Sequence, residues 1–531
     1  MNKIMTQQHF SKSEGDLPWW KGACIYQIYP RSFMDTNGDG IGDLKGITEK
    51  LEYIASLGVD GIWISPFFTS PMKDFGYDVA DFCGIDPMFG TLADFKELLE
   101  KAHSLSLKVI IDQVYSHTSD EHEWFKQSRS SKDNDKSDYY VWADAKPDGT
   151  PPNNWQSVFY GPSWTWDARR RQYYFHNFLP EQPDLNVHNP KVQEEILKVA
   201  RFWLELGVDG FRLDALNFLM HDPEFRDNPP KSEGIKTRPF DYQYQKYSMS
   251  HPDIPAFIEK LAGVINSYPN RFTVAEVGGA EAAVEMREFT KGNSRLNTAY
   301  GFIFLYADEI TPKLVHDAVL GSQDFWVSWA FSNHDAPRCV SRWAKGRDEA
   351  AAARCFMALL AAMRGNIFLY YGEELGLEQA DIPFDQLQDP EAIKNYPLTL
   401  GRDGARSPMV WQGNGGFTNG QSWLPIDSRH FPKAVAKQEA NADSMLNYTR
   451  NIMAMRQSTP ELLWGDIKFI QVDENLLIFE REYDGKTIIC AFNLGFVTVN
   501  YQFSQNSKIL LQVNGATLEK LPPLGLILLK V

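Results

Sequence analysis

The sequence predicts an α/β fold: a (β/α)8 TIM barrel with a subdomain inserted after strand three and a C-terminal antiparallel β-domain. Three observations carry this prediction. Short apolar runs alternate with amphipathic helix patterns about eight times. One helix–Gly–strand unit occurs twice, as "LGVDGIWIS" at Leu57–Ser65 and "LGVDGFRLD" at Leu206–Asp214. Finally, the chain has no Gly-x-Gly-x-x-Gly or phosphate-loop lysine motif that would favour an open, doubly wound sheet.

Taken in order, "CIYQIY" (Cys24–Tyr29) reads as the first strand. Leu44, Ile47, Leu51 and Ile54 then recur at helical spacing, and Gly58 stands where a helix C-cap belongs, ahead of the second strand. "KVIIDQV" (Lys108–Val114) is the third. Residues 118–185 break the alternation with polar and aromatic text such as "SRSSKDNDKSD" and "WTWDARRRQYYFH". That is too long for a plain loop and reads as an inserted subdomain. A second helix pattern (Ile196, Val199, Ala200, Trp203) ends at Gly207 and leads into the fourth strand. "FTVAEV" (Phe272–Val277), "FIFLY" (Phe302–Tyr306), "VSWAFSN" (Val327–Asn333) and "NIFLYYG" (Asn366–Gly372) supply strands five to eight. The barrel thus takes residues 1–117 and 186–458. Over 459–531 a period of two takes over in "DIKFIQV", "NLLIFERE", "TIICAFN" and "VTVNYQF", with a hairpin signal at Asp484-Gly485. A β-sandwich-like domain follows.

Composition limits the partners. With 69 acidic against 53 basic residues, the net charge of −16 argues against nucleic acid or an anionic membrane. A small neutral molecule suits this surface better. Five scattered cysteines form no redox or metal pair, and the N-terminus has no apolar signal core. No stretch of about 18 apolar residues could span a bilayer. The expectation is a cytoplasmic protein, monomer or homodimer, without membrane or nucleic-acid partners.

In such a barrel, chemistry belongs to the C-terminal ends of the strands. Those ends carry Asp112 and His117, Arg212 and Asp214, Glu276, and His334-Asp335, with Asp78 after strand two in "DFGYDVADF". One strand-end aspartate is ordinarily a helix cap or ion-pair partner, and one histidine a structural group. Several carboxylates and a fixed cation brought together are costly, and such clusters serve proton transfer and carbocation chemistry. A metal hydrolase with Asp112, His117 and His334 as ligands is the alternative open at this point.

"DQVYSH", "GFRLDALNF", "AEVGG" and "FSNHD" resemble the four signature segments of the α-amylase superfamily of glycoside hydrolases, in that family's order. "QIYPRSFMDTNGDGIGDLKGI", "QPDLN", "YYGEELG" and "GRDGARSPMVW" are similar to its α-glucosidase and oligo-1,6-glucosidase branch. The resemblance implies Asp214 as nucleophile, Glu276 as acid and base, and Asp335 as the third carboxylate, which holds sugar hydroxyls. Arg212 would keep Asp214 ionised, and neighbouring carboxylates would raise Glu276. His117 and His334 would donate to sugar hydroxyls, and Asp78 with Arg402 would grip the non-reducing end, Arg406 being a second candidate. Tyr77 would lie beneath the ring, and Phe159, Phe175 and Trp164 would line the entrance.

Ser116 replaces the asparagine that many relatives use for calcium, which removes support for a metal there. "DTNGDGIGD" instead places Asp35, Asn37, Asp39, the Ile41 carbonyl and Asp43 at alternate positions around Gly40, like the early half of an EF-hand loop. One structural Ca2+ or Mg2+ is expected there, and no organic cofactor. The function expected is an exo-acting, retaining α-glucosidase on short oligosaccharides. Ala215 follows the nucleophile; its small size, set against the Val of α-1,6-acting relatives, favours α-1,4 links. Transglucosylation, a sucrose- or trehalose-directed relative and a non-catalytic binding relative are the competing readings.

Overall fold

The computed structural model describes residues 17–531 except Ile235 and Leu400. The segment on which the missing signal core was read therefore lies largely outside the described residues. Eight parallel strands form one sheet: β1 (Cys24–Ile28), β2 (Gly61–Ile64), β3 (Lys108–Gln113), β4 (Gly210–Leu213), β5 (Phe272–Val277), β6 (Thr298–Gly301), β7 (Ser328–Ala330) and β8 (Asn366–Tyr370). Their order is β6-β5-β4-β3-β2-β1-β8-β7, so the sheet curls until β6 and β7 face each other. There Ser328 Oγ donates to Thr298 Oγ1 at 2.9 Å and closes the barrel through side chains.

Strand six departs from expectation. "FIFLY" is not a strand, and the ladder to β5 runs through Thr298–Gly301, with Glu276 opposite Tyr300. The apolar run that follows buries Phe304 and Leu305 while leaving Ile303 and Tyr306 exposed, so it is a packed turn rather than a strand. An apolar run does not by itself distinguish a buried strand from a buried loop.

The helices that wrap the barrel begin and end as the sequence marks them. α1 (Leu44–Ser56) starts where Asp43 accepts the Gly46 N–H and buries Leu44, Ile47, Leu51 and Ile54. α2 (Leu92–Ser104) carries a Thr91–Asp94 capping box. α3 (Pro190–Leu206) is capped by Asn189 and stops at Gly207, whose φ of 105° suits glycine. α4 (Ile254–Asn266), α5 (Ala282–Phe289), α6 (Pro312–Leu320), α7 (Glu349–Ala362) and α8 (Met445–Gln457) complete the outer layer. Among the described residues no helix is long and apolar enough to cross a membrane.

Between β3 and α3 the chain forms a helix, Glu123–Ser130, and three short antiparallel strands, Trp142–Ala143, Trp164–Asp167 and Gln172–Phe175. Beyond α8 a short helix, Pro460–Trp464, precedes the C-terminal sheet. That sheet contains β9 (Asp466–Val472), β10 (Leu476–Tyr483), β11 (Lys486–Asn493), β12 (Lys508–Val513) and β13 (Leu526–Lys530), in the order β9-β10-β11-β13-β12. Asp484 and Gly485 turn β10 into β11 with φ of 51° and 68°, the left-handed pair of a tight hairpin. Of "VTVNYQF" Val499–Asn500 forms a ladder with Lys520–Leu521, and the Tyr501 and Phe503 N–H groups donate on to the Glu519 and Leu518 carbonyls.

Candidate active site

Arg212 and Asp214 lie two residues apart on β4 and its end, so strand alternation sends both side chains to the same side. The strand runs close to β5: a Cβ on Gly210 would stand 2.0 Å from the Phe272 carbonyl oxygen, so only glycine fits there. Arg212 is fully buried. Its Nη1 donates to Asp112 Oδ1 at 2.9 Å and to Asp214 Oδ1, and its Nη2 pairs with Glu276 Oε1. Its guanidinium lies 4.9 Å over the Trp63 ring. One cation therefore joins carboxylates from three strands.

Tyr300 completes this junction. Its hydroxyl accepts from Arg212 Nε and Nη2 at 3.1 and 2.9 Å and donates to Glu276 Oε1 at 2.9 Å. No sequence signal marked it, because the expected sixth strand began two residues later. On the opposite oxygen, Glu276 Oε2 accepts the Ala215 N–H at 3.2 Å. Ala215 holds φ at 41°, a left-handed conformation uncommon for a residue with a Cβ.

Burial decides the protonation. It pushes Glu276 up to about 7, against the opposing pull of Arg212, with Asp214 and Asp335 adding to the rise. It also lifts Asp214 to about 7, where Arg212 was expected to keep this group low. Burial outweighs the pull of Arg212, and the like charges of Asp112, itself raised to about 6 by burial, and Asp335 add to the rise. Asp335 differs. Burial raises it too, but His334, Arg406 and Arg402 outweigh that and hold it well below the usual carboxylate range. Arg406 Nη2 donates to Asp335 Oδ1 at 2.9 Å, and Arg402 Nη1 approaches the same oxygen at 3.5 Å.

Burial holds both histidines neutral, lowering His117 to about 4 and His334 to about 3. Gln27 Nε2 donates to His334 Nδ1 at 2.8 Å, so the proton sits on Nε2, which faces Tyr77 Oη at 2.5 Å and Asp335 Oδ2 at 3.1 Å. The Tyr77 and His334 rings stack 5.2 Å apart at 4°. Tyr77 also donates to Asp112 Oδ2 at 3.0 Å. Ser116 is buried beside His117, its hydroxyl 2.9 Å from Nδ1, while His117 Nε2 reaches the Tyr77 carbonyl at 3.0 Å.

The expected Asp78–Arg402 pair is not formed. Arg402 Nη2 instead reaches Asp74 Oδ1 and Asp389 Oδ1, each at 2.8 Å. Asp78 is fully buried, and its oxygens accept from Ser70 Oγ and from the Lys73 and Asp74 N–H groups at 2.8–2.9 Å. It shapes the turn that presents Asp74. Phe159 lies 4.8 Å from the Arg402 guanidinium. Phe175 and Trp164 do not line the entrance: they pack with Trp155 in the small core of the inserted strands, because those strands need an apolar face of their own. The aromatic beside the site is Phe178, 5.0 Å from the His117 ring and 5.8 Å from Phe159.

In the early loop, Asp35 Oδ1 accepts the Asn37 and Gly38 N–H groups and Oδ2 the Gly40 N–H. Asn37 accepts from Asp39 N and Asp39 from Ile41 N. Asp43 takes Thr36 and caps α1. A Cβ at Gly40 would lie 1.9 Å from the Gln421 carbonyl, so the chain is drawn tightly around that residue. Three carboxylates, an amide oxygen and a carbonyl form a hard-oxygen donor set that suits Ca2+ or Mg2+.

Known proteins share this fold. The family described as "Alpha amylase, catalytic domain" matches residues 27–465. The chain is 50% identical to a "Probable alpha-glucosidase" of Rhizobium meliloti (strain 1021), over 92% of each protein. It is 38% identical to an "Oligo-1,6-glucosidase" of Heyndrickxia coagulans, over 93% of this chain and 95% of that one. Among solved structures, an alpha-glucosyl transfer enzyme, XgtA, matches at 45% identity and a TM-score of 0.93, covering 97% of this chain and all of that one. The trehalulose synthase MutB from Pseudomonas mesoacidophila MX-45 matches at 30% identity and a TM-score of 0.89, again over 97% of this chain and all of that one. From the barrel, its strand-end carboxylates and these matches it follows that the chain belongs to the α-amylase superfamily and is a glycoside hydrolase of the α-glucosidase class.

Proposed function

We propose that the enzyme is an exo-acting, retaining α-glucosidase that removes glucose from the non-reducing end of short α-glucosides, with α-1,4 links preferred. The observation that carries this reading is the Asp214–Arg212–Glu276 junction, closed on one side by the Arg402–Asp74 pair. Asp214 attacks the anomeric carbon while Glu276 gives its proton to the leaving oxygen. Glu276, now ionised, then takes a proton from water, which releases glucose with its α configuration. Two carboxyls that share Arg212 and are both lifted to about 7 hold a single proton near neutral pH, the state the first step needs. Asp335, kept ionised by its arginines, binds sugar hydroxyls and favours the oxocarbenium-like state. Neutral His334 offers its Nε2 proton to a hydroxyl, and Tyr77, stacked on it, lies under the ring. Arg402 and Asp74 hold the terminal hydroxyls and limit the pocket to one glucose.

A second reading, glucosyl transfer, is favoured by the likeness to the alpha-glucosyl transfer enzyme and by a neighbouring cavity of about 840 Å³. Arg238, Tyr242, Lys394 and Tyr396 line it, and Arg238 pairs with Glu391 at 2.9 Å. An acceptor sugar there would replace water as the second nucleophile. The α-glucosidase reading carries with it a structural Ca2+ or Mg2+ in the Asp35–Asp43 loop, away from the chemistry, and a cytoplasmic setting, in keeping with five cysteines that form no disulfide among the described residues. A panel of maltose, isomaltose, sucrose and trehalose tests it. Maltose should show the highest kcat/KM, and dominant trisaccharide formation at high maltose would shift the assignment to transfer.

A further inference from the structure

We propose that His188, His251 and Asp253 form a binding site for one Zn2+-type divalent ion on the rim of the barrel, separate from the glucoside site. The three residues come together at the starts of two neighbouring helices. His188 precedes Asn189, the N-cap of α3, and Asp253 is the N-cap of α4. One ligand atom from each lies within 4.8 Å of the others, and no other trio of His, Cys, Asp or Glu among the described residues is so grouped. A single ion with bonds of about 2.0–2.2 Å can draw such a set together with small side-chain shifts.

The surroundings favour metal over hydrogen bonding alone. His188 Nε2 donates to the His221 carbonyl at 2.8 Å, which fixes the tautomer and leaves Nδ1 with its lone pair. This backbone–histidine arrangement is the one that supports metal-bound imidazoles. The His188 and His251 rings stand perpendicular with centroids 4.8 Å apart. His251 Nδ1 takes a long 3.3 Å bond from the Asp253 N–H, weak enough to yield to a metal bond, and lies 3.7 Å from Asp253 Oδ2. Both histidines are half-buried and Asp253 is exposed, so an ion can reach the site and water can fill the remaining position. Arg226, whose charge acts on His251, is paired with Asp222 through two bonds of 2.9 and 2.8 Å.

Two imidazole nitrogens with one carboxylate oxygen select Zn2+, Co2+ or Ni2+ over Ca2+ or Mg2+. Bound there, the ion links the start of α3 to the start of α4. Through the His188–His221 bond it also steadies the segment that follows Asp214.

The test uses the full-length enzyme, stripped with chelator and held in excess Ca2+ so that hard-oxygen sites are filled. Zn2+ is titrated by calorimetry, and Co2+ by its visible absorption. The expected result is one ion per chain, a tetrahedral-type Co2+ spectrum and a rise in Tm. His188→Ala and His251→Ala should each weaken binding by at least about tenfold, the loss that even an outer-shell partner causes. Metal-free His251→Ala should keep its kcat/KM. If His188→Ala does not fold, His251→Ala alone decides. Absence of binding, or a loss under tenfold in His251→Ala, would overturn the proposal.

Discussion

Ala215 joins specificity to backbone conformation. Its left-handed φ of 41° and its N–H bond to Glu276 hold a small side chain next to that carboxylate, which on the proposed function is beside the bond to be cut. Ala215→Val adds a β-branched side chain to a conformation such residues resist. We expect a lower Tm and a fall of at least about tenfold in kcat/KM for maltose, with isomaltose gaining in relative preference; kinetics on both sugars check this. Asp74 and Asp78 offer a second contrast. Asp74→Asn weakens the partner of Arg402, so kcat/KM should drop about ten- to hundredfold, mainly through KM. Asp78→Asn should act mainly on Tm, since its partners are the turn's own N–H groups. The sequence "KDFGYDVADF" does not separate the two, because both aspartates lie in one loop without strand or helix period to say which faces the site.

The strands show what a linear pattern can and cannot carry. Asp112, Arg212, Asp214, Glu276 and Asp335 were legible because each closes an apolar strand whose buried register leaves one face for chemistry. Tyr300 was hidden because Thr298–Gly301 is short and half polar, while the louder apolar run after it is a turn. Phe175 was misread for Phe178 because an aromatic in a short strand reads alike whether it faces a subdomain core or a pocket. Likewise, the Asp484-Gly485 hairpin was legible because a left-handed pair needs those residue types. Spacing between elements is tested most sharply at Gly210, where β4 meets β5 with no room for a Cβ. Gly210→Ala should destabilise the enzyme by about 1–3 kcal/mol and lower kcat by moving Arg212 and Asp214, as calorimetry and initial rates would show.

At the scale of the whole molecule, the active site works against stability. Arg481 of β10 ties the C-terminal sheet to the barrel by donating to the Ala362 carbonyl at 2.6 Å, and the apolar cores fill the rest. The carboxylate cluster does the reverse. Asp214 and Glu276 rise from 3.8 and 4.5 in the unfolded chain to about 7 when folded. The native state therefore binds more protons across that window, and stability contributed by these groups is lost as pH rises through about 7. Asp214→Asn should raise Tm at about pH 8 and change it little at about pH 5, while abolishing turnover. On the proposed mechanism the same pair should give kcat/KM a bell-shaped pH profile, with activity falling in acid as Asp214 gains a proton and in base as Glu276 loses one. The central claim is that Asp214 becomes covalently glucosylated. A ring-fluorinated α-glucosyl fluoride, which loses its anomeric fluoride and slows breakdown of the intermediate, should leave one fluoroglucosyl unit on the peptide bearing Asp214 by mass spectrometry. The same adduct on another residue, or turnover without any adduct and with β-glucose as the first product, would contradict it.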